Sequence, residues 1–415
     1  ITDFFNPEQV RELFLQIRNA EASELLTNET LCKEFMNLQE LFDDVLQNSR
    51  LTELLPEMSE STRGVGKTTF LLQYAKEKFG YDRSCLYINM NNLYFQGRGI
   101  AEFAGDFQKM GGKVLLIDQV FKHPDWSEEL RLCYDLYPNL KIVFTGSSVM
   151  RLKEENHSLN GIVKSYNLRG FSFREYMNLK AGTTIPVCTL NDILKNHQEI
   201  AKQINQQVKP EIYFQDYLHH GFYPFFMEKT SFSENLLKTM SMMIEVDILL
   251  LKQVELKYLS KIKKLFYLLA IGGTSAPNVS QLAKAIDTSR ATVMNYIKYL
   301  ADARLINIVY DKDESFPKKP CRVLMHNTNL IYTIYPPKSD RKEVIDTFFV
   351  NSMWKDHSVN RGKKDNTFLV DCELEFKLQQ KGNITKNNPD WFYVVDNMNE
   401  GKDNVIPLWM FGLLY

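Results

Sequence analysis

Residues Ser61 to Gly80 read STRGVGKTTFLLQYAKEKFG. Gly64 and Gly66 put two residues without Cβ atoms just before Lys67, Thr68 and Thr69, and the run then continues at helical spacing. The full phosphate-loop pattern is G-x-x-x-x-G-K-[ST] between a strand and a helix. Gly66, Lys67 and Thr68 fill its last three positions, while Ser61 stands where the first glycine belongs. The two glycines still let backbone N–H groups, including those of Val65 and Thr69, curl around phosphate oxygens where a Cβ would intrude. Lys67 would reach the outer phosphates as a point charge, and the Thr68 hydroxyl would hold Mg²⁺. The helix from Thr69 adds its N-terminal partial positive charge to the same phosphates. A glycine turn that merely starts a helix would explain a bare GKT, but GVGKTT opening a helix favours a nucleotide.

Working outward, the pattern from residue 61 to about 180 is one of short apolar strands alternating with helices. CLYINM (Cys85–Met90), KVLLID (Lys113–Asp118), KIVFTG (Lys141–Gly146) and KSYNLRG (Lys164–Gly170) read as strands, with RGIAEFAGDFQKM and SEELRLCYDLY as helices between them. Such alternation predicts an α/β fold, a parallel sheet covered on both faces. The strand KVLLIDQ ends in Asp118, and ligands of open α/β sheets bind at that end. An acid there fits the aspartate that holds Mg²⁺ in nucleotide-hydrolysing enzymes. KIVFTGSS ends in Thr145, Ser147 and Ser148, polar groups able to sense a γ-phosphate. Ser147 is therefore a candidate catalytic residue, and ATP and Mg²⁺ are the expected cofactors.

Composition narrows the class. The 415 residues are enough for about two or three domains, and 44% hydrophobic with 24% charged residues is ordinary for globular protein. A net charge of −1 gives no global attraction to nucleic acid, so any DNA contact has to come from a local basic face. The six cysteines are scattered and never form C-x-x-C, which argues against a zinc knuckle or disulfide framework. The opening ITDFFNPEQV lacks the order of a signal peptide, and no apolar run approaches the roughly 18 residues of a membrane span. A cytoplasmic protein without membrane contact is the expectation.

With RGVGKTT, LLIDQVFKHPDW, KIVFTGSS and GFSFREY (Gly170–Tyr176) in hand, the chain resembles the predicted AAA-type ATPases of bacteria and archaea. The resemblance spans about residues 61 to 415. It implies a P-loop core followed by a helical lid, a winged helix and a C-terminal domain similar to restriction endonucleases, with ATP hydrolysis driving a conformational switch. The domain layout then reads as N-terminal amphipathic helices at 1–55, nucleotide core at 56–182, helical lid at 183–270, winged helix at 271–335 and endonuclease-like domain at 336–415. Nucleotide is the implied partner. AAA-type domains often form rings, which leaves an oligomer open.

The departures fall on functional positions. The family places glutamate directly after the Mg²⁺ aspartate as base for the attacking water; this chain has Gln119, which cannot take a proton. The arginine usual before SFREY is reduced to Arg169, and the stretch LLPEMSES before the loop carries a proline and acids where a strand is expected. ATP binding with slow or absent hydrolysis is the resulting expectation, with a nucleotide-independent DNA- or protein-binding scaffold carrying a decayed loop as the alternative.

Two further modules are legible. In NVSQLAKAIDTSRATVMNYIKYLADARLINIVYD, Leu282, Ala283, Ile286, Val293, Ile297 and Leu300 recur at helical spacing, Asp287-Thr288-Ser289 makes a turn, and RLINIVYD with CRVLMHN makes a hairpin. This reads as a helix-turn-helix with a wing, in which Arg290, Asn295 and Lys298 lie off the core, on the face offered to DNA or to a protein partner. In FLVDCELEFKLQQKG, Asp371, Glu375 and Lys377 form D-x-x-x-E-x-K, which invites a metal-nuclease reading. The alternation of Glu373, Glu375 and Lys377 with Leu374 and Phe376 favours a strand with outward charges instead. Lys257 to Lys264 reads as the wet side of an amphipathic helix.

Overall fold

The structure, a computed structural model, describes residues 51–54, 64–146, 157–159, 161–166, 168–228, 231–248, 254–273, 276–335, 340–364, 366–382 and 388–415. The helices expected before residue 51, Ser61 and Ser147 lie outside the described residues. The chain divides into two compact units, one containing residues 65–169 and the other residues 170–415.

The first unit is built on five parallel strands: β1 (Leu51–Leu54), β2 (Cys85–Asn89), β3 (Val114–Asp118), β4 (Lys141–Thr145) and β5 (Val163–Ser165), in the order β2-β3-β4-β1-β5. Alternate residues of β3 serve two cores, as the period of a strand requires. Leu115 and Ile117 join Ile88, Ile142 and Phe144 under helices α2 (Ile100–Lys109) and α3 (Trp126–Leu136). Val114 and Leu116 join Val143 and helix α1 (Lys67–Tyr74) on the other side, where Phe70, Leu71 and Leu72 are buried. The expected strand at 164–170 is shorter and begins one residue earlier.

One strand sits where sequence patterning gave no strand. Leu51–Leu54, assigned above to N-terminal helices, pairs with Ile142–Thr145 on one side and Val163–Ser165 on the other. The sheet therefore starts upstream of residue 56. LTEL has no apolar run, so periodicity could not reveal it; a backbone ladder on both sides needs no apolar side chain.

The second unit is helical up to residue 302. Helices α4 (Phe173–Ala181), α5 (Leu190–Gln207), α6 (Pro210–Asp216), α7 (Phe232–Met242) and α8 (Leu259–Ile271) lead to α9 (Val279–Ala285) and α10 (Arg290–Asp302). α9 ends as Asp287 takes a left-handed conformation (φ 51°), and the Ser289 side chain caps α10 by accepting the Thr292 N–H at 3.1 Å. An antiparallel hairpin follows, β6 (Ile306–Val309) and β7 (Arg322–Met325). Ala283, Ile286, Val293, Ile297 and Leu300 are buried in the main core of this unit, and Leu282 packs against it.

After α11 (Thr328–Ile334), helix α12 (Arg341–Met353) is buried along its whole length from Glu343. A mixed five-stranded sheet completes the unit: β8 (Val359–Arg361), β9 (Thr367–Val370), β10 (Leu374–Gln380), β11 (Phe392–Asp396) and β12 (Val405–Pro407). Its order runs in sequence, antiparallel through β10 and parallel from there.

Candidate nucleotide site

The loop before α1 relies on positive φ angles, 81° at Gly64 and 101° at Gly66, a region where an L side chain is strained. Val65 between them is buried in the core beside α1, which anchors the loop and leaves only its backbone for a ligand. Gly66 is the N-cap of α1 and offers no side chain to the first-turn N–H groups. Those donors, with the helix dipole, make an anion cradle at a helix that starts with Lys67, Thr68 and Thr69.

Asp118 is the centre of the polar network. Its side chain is 2% exposed and stands at the C-terminal end of β3. Oδ2 accepts from Thr68 Oγ1 at 2.8 Å, from the Tyr87 hydroxyl at 3.0 Å and from Asn89 Nδ2 at 3.3 Å. Oδ1 accepts from the Gln119 N–H at 3.1 Å and from the Thr145 hydroxyl. A buried carboxylate is costly unless it is satisfied in this way, and the donors fix its orientation. The hydroxyl and carboxylate expected to share Mg²⁺ thus meet, and both are hard oxygen donors of the kind that ion takes.

Gln119 follows in a left-handed conformation (φ 54°, ψ 44°), unusual for a residue with a Cβ. Its N–H is shared between Asp118 Oδ1 and Thr145 Oγ1, the latter at 2.9 Å, so the turn is held from two strands. Thr145, read in the sequence as a phosphate sensor, binds Asp118 and Gln119. Tyr87 and Asn89 were missed. Asn89 ends β2 directly beside Asp118 and Tyr87 lies two residues back on the same strand, a placement that only the pairing of β2 with β3 reveals.

The other candidate residues are placed differently from one another. Arg290 and Asn295 are exposed on α10, whereas Lys298 pairs with Asp302 at 3.4 Å and lies 5.4 Å from the Phe316 ring centre. Lys257, Lys261 and Lys263 are all in ion pairs, with Glu255, Asp287 and Glu245. In the tail, Asp371 sits in the β9–β10 turn (φ 51°) and binds His357 Nδ1 at 2.6 Å and the Ser358 N–H at 2.8 Å. Glu375 is buried on β10, where Oε1 accepts the Lys363 N–H at 2.6 Å and the Thr367 hydroxyl. Asp371 and Glu375 therefore have separate partners, and no group of three or more His, Cys, Asp or Glu side chains able to hold a metal occurs among the described residues. Lys377 on β10 has Nζ 6.0 Å from the ring centre of Tyr393, its cross-strand partner on β11. Among the described residues no helix is long and apolar enough to cross a membrane.

Comparison with known proteins bears on both units. The family described as an AAA domain matches residues 62–177, and a domain of unknown function (DUF8612) matches residues 211–322. An uncharacterized protein of Methanocaldococcus jannaschii is 27% identical over 289 residues, which is 66% of this chain and 60% of that protein. The chain thus spans less than two thirds of the length of this curated relative. Among solved structures, the Walker-type ATPase of Pyrococcus abyssi aligns with 72% of this chain and 95% of its own at 13% identity and a TM-score of 0.40. The Orc1 protein of Aeropyrum pernix, solved in complex with DNA, aligns with 76% of this chain and 96% of its own at 11% identity and a TM-score of 0.29.

Proposed function

We propose, with the AAA-type P-loop domain at residues 62–177 as premise, that this chain binds ATP with Mg²⁺ and acts as an ATP-dependent conformational switch with weak or absent hydrolysis. The observation that carries this reading is the 2.8 Å hydrogen bond from Thr68, in the first turn of α1, to the buried Asp118. The N–H groups of Gly64, Val65, Gly66 and Thr69 hold the phosphates and Lys67 neutralises the outer ones. Thr68 and Asp118 hold the metal ion, which supplies charge neutralisation when bound. Gln119 stands beside the position of the attacking water, where its amide orients but accepts no proton. Ser147 keeps the γ-phosphate role given by the sequence.

The elements over residues 279–325, two helices joined by a capped turn and followed by a hairpin, support reading this module as a winged helix. The mixed sheet after α12 supports an endonuclease-like fold, and the separate partners of Asp371 and Glu375 favour one without nuclease activity. Hydrogen exchange with and without Mg·ATP tests the switch. Protection should change within residues 170–415 as well as around the loop, and Lys67→Ala should abolish both changes. Protection confined to the loop in the wild type would reduce the protein to a nucleotide binder without a switch.

A further inference from the structure

The cations near α9 and α10 sort into two sets. Lys261 and Lys298 are neutralised by Asp287 and Asp302. Lys284, Arg290 and Lys319 are exposed and have no ion pair or hydrogen bond among the described residues. These three are not scattered. Arg290 and Lys319 line one open groove with Asn278, Ser280, Met294 and Pro317, between the start of α9, the first turns of α10 and the loop joining β6 to β7. Arg290 also borders a second groove with Lys284, Thr288 and Asp287, whose carboxylate is the one acid in either lining. Asp287 is already engaged by Lys261 Nζ at 3.5 Å, so the surface keeps an excess of positive charge.

Arg290 occupies the first position of α10, and the first turn of that helix carries no acid. The helix dipole opposes a cation there, so this placement costs stability in isolation and is relieved by an anion brought alongside. Lys284 in the last turn of α9 has the bland explanation that a C-terminal cation suits its helix. That explanation does not extend to Arg290 or Lys319.

We propose that this face takes the phosphodiester backbone of duplex DNA, through Lys284, Arg290 and Lys319, and that it binds without strong sequence preference. The inference rests on the winged-helix reading above and names its partner. Phosphate contacts position a protein and carry no sequence information. Base reading would have to come from the middle of α10, where Lys298 is tied to Asp302 and Phe316 and leaves Asn295 alone. A helix whose first turn is exposed at Arg290 and Ala291 and is flanked by such cations fits the wide major groove of B-form DNA and not the narrow one of A-form RNA.

The test is fluorescence anisotropy of the full chain with labelled duplexes of about 20 base pairs and mixed sequence, between about 50 and 200 mM salt, with and without Mg·ATP. The wild type should bind different duplexes alike, with a slope of log K against log salt of roughly −3 for three phosphate contacts. Lys284→Gln, Arg290→Gln and Lys319→Gln should each reduce that slope by about 1, and the triple variant should lose about tenfold or more in affinity. Asn295→Ala should change affinity less than about twofold. Thermal melting of the exposed-site variants checks that they fold, and the wild-type slope stands without them. Absence of duplex binding, a salt-independent affinity, an unaffected triple variant, a dominant Asn295 effect or preference for RNA would each overturn the proposal. Calorimetry with Mg·ATP on the same samples separates the two readings: nucleotide binding without DNA binding overturns this surface alone, and the reverse overturns the nucleotide switch alone.

Discussion

Thr68 and Asp118, fifty positions apart in the chain, are joined by a 2.8 Å hydrogen bond from hydroxyl to carboxylate. One opens the helix after the glycine loop and the other closes β3, so the bond ties the anion cradle to the sheet. A hydroxyl at 68 that serves Mg²⁺ matters most when the metal is present. Thr68→Ala should weaken ATP binding about tenfold or more in Mg²⁺, roughly 1.4 kcal/mol, and by clearly less in excess chelator. Thr68→Ser should behave as the wild type. Equal losses with and without metal would show that Thr68 acts on the loop itself.

Gln119 already holds the left-handed turn through its backbone, so a glutamate side chain can replace it without disturbing Asp118 or Thr145. Gln119→Glu restores a group able to take a proton from water. Hydrolysis should rise by about 10²- to 10⁴-fold with nucleotide affinity nearly unchanged. A variant that binds equally well and hydrolyses no faster would place the missing group elsewhere.

Ser172 and Glu175 show what the SFREY stretch does, which its sequence alone did not. Ser172 Oγ accepts the Glu175 N–H at 3.1 Å and Glu175 Oε2 accepts the Ser172 N–H at 2.8 Å, a reciprocal cap on α4. Phe173 and Tyr176 are fully buried, and Arg174 donates to the main-chain oxygens of Tyr415 and Ile185 at 3.0 and 3.2 Å. The motif is structural. Ser172→Ala should cost about 1 kcal/mol. Arg174→Ala, which removes a charged donor from the Tyr415 and Ile185 oxygens and leaves the latter to Asn178 Nδ2 alone, should cost about 2 kcal/mol in denaturant unfolding. Losses confined to ATP turnover, with stability intact, would contradict this.

Glu343 gives a pH signature. Burial, reinforced by Asp340 and Asp346, pushes its carboxyl up from 4.5 to about 7. The folded protein then binds a proton that the unfolded chain releases between about pH 4.5 and 7. Glu343 is therefore harmless below pH 4.5, and its contribution to stability is lost as pH rises toward and through 7. Glu343→Gln should melt like the wild type near pH 4.5 and be more stable at pH 8 by about 2 kcal/mol. A variant less stable than the wild type at pH 8 would mean that the charged carboxylate has a partner.

Much of the first unit was legible because its strands β2, β3 and β4 are apolar runs with polar ends, and a doubly covered parallel sheet demands that pattern. The two helices and hairpin over 279–325 were legible for a similar reason, since Ala283, Ile286, Val293 and Ile297 recur at helical spacing. What stayed hidden depended on partners distant in the chain. β1 is specified by its neighbours β4 and β5, and Tyr87 and Asn89 gain a role only once β2 lies beside β3. Charge bookkeeping along α10 likewise could not separate Lys298, taken by Asp302, from Arg290, which has no ion pair among the described residues.

The central claim is that the Gly64–Thr69 loop and Asp118 form a working nucleotide site despite Ser61 and Gln119. Calorimetric titration of Mg·ATP into the full chain, with Lys67→Ala as control, tests it most directly. The account predicts binding in about the micromolar range, worth roughly 8 kcal/mol, that disappears in the variant. No heat of binding in the folded wild type, or equal binding by Lys67→Ala, would contradict it.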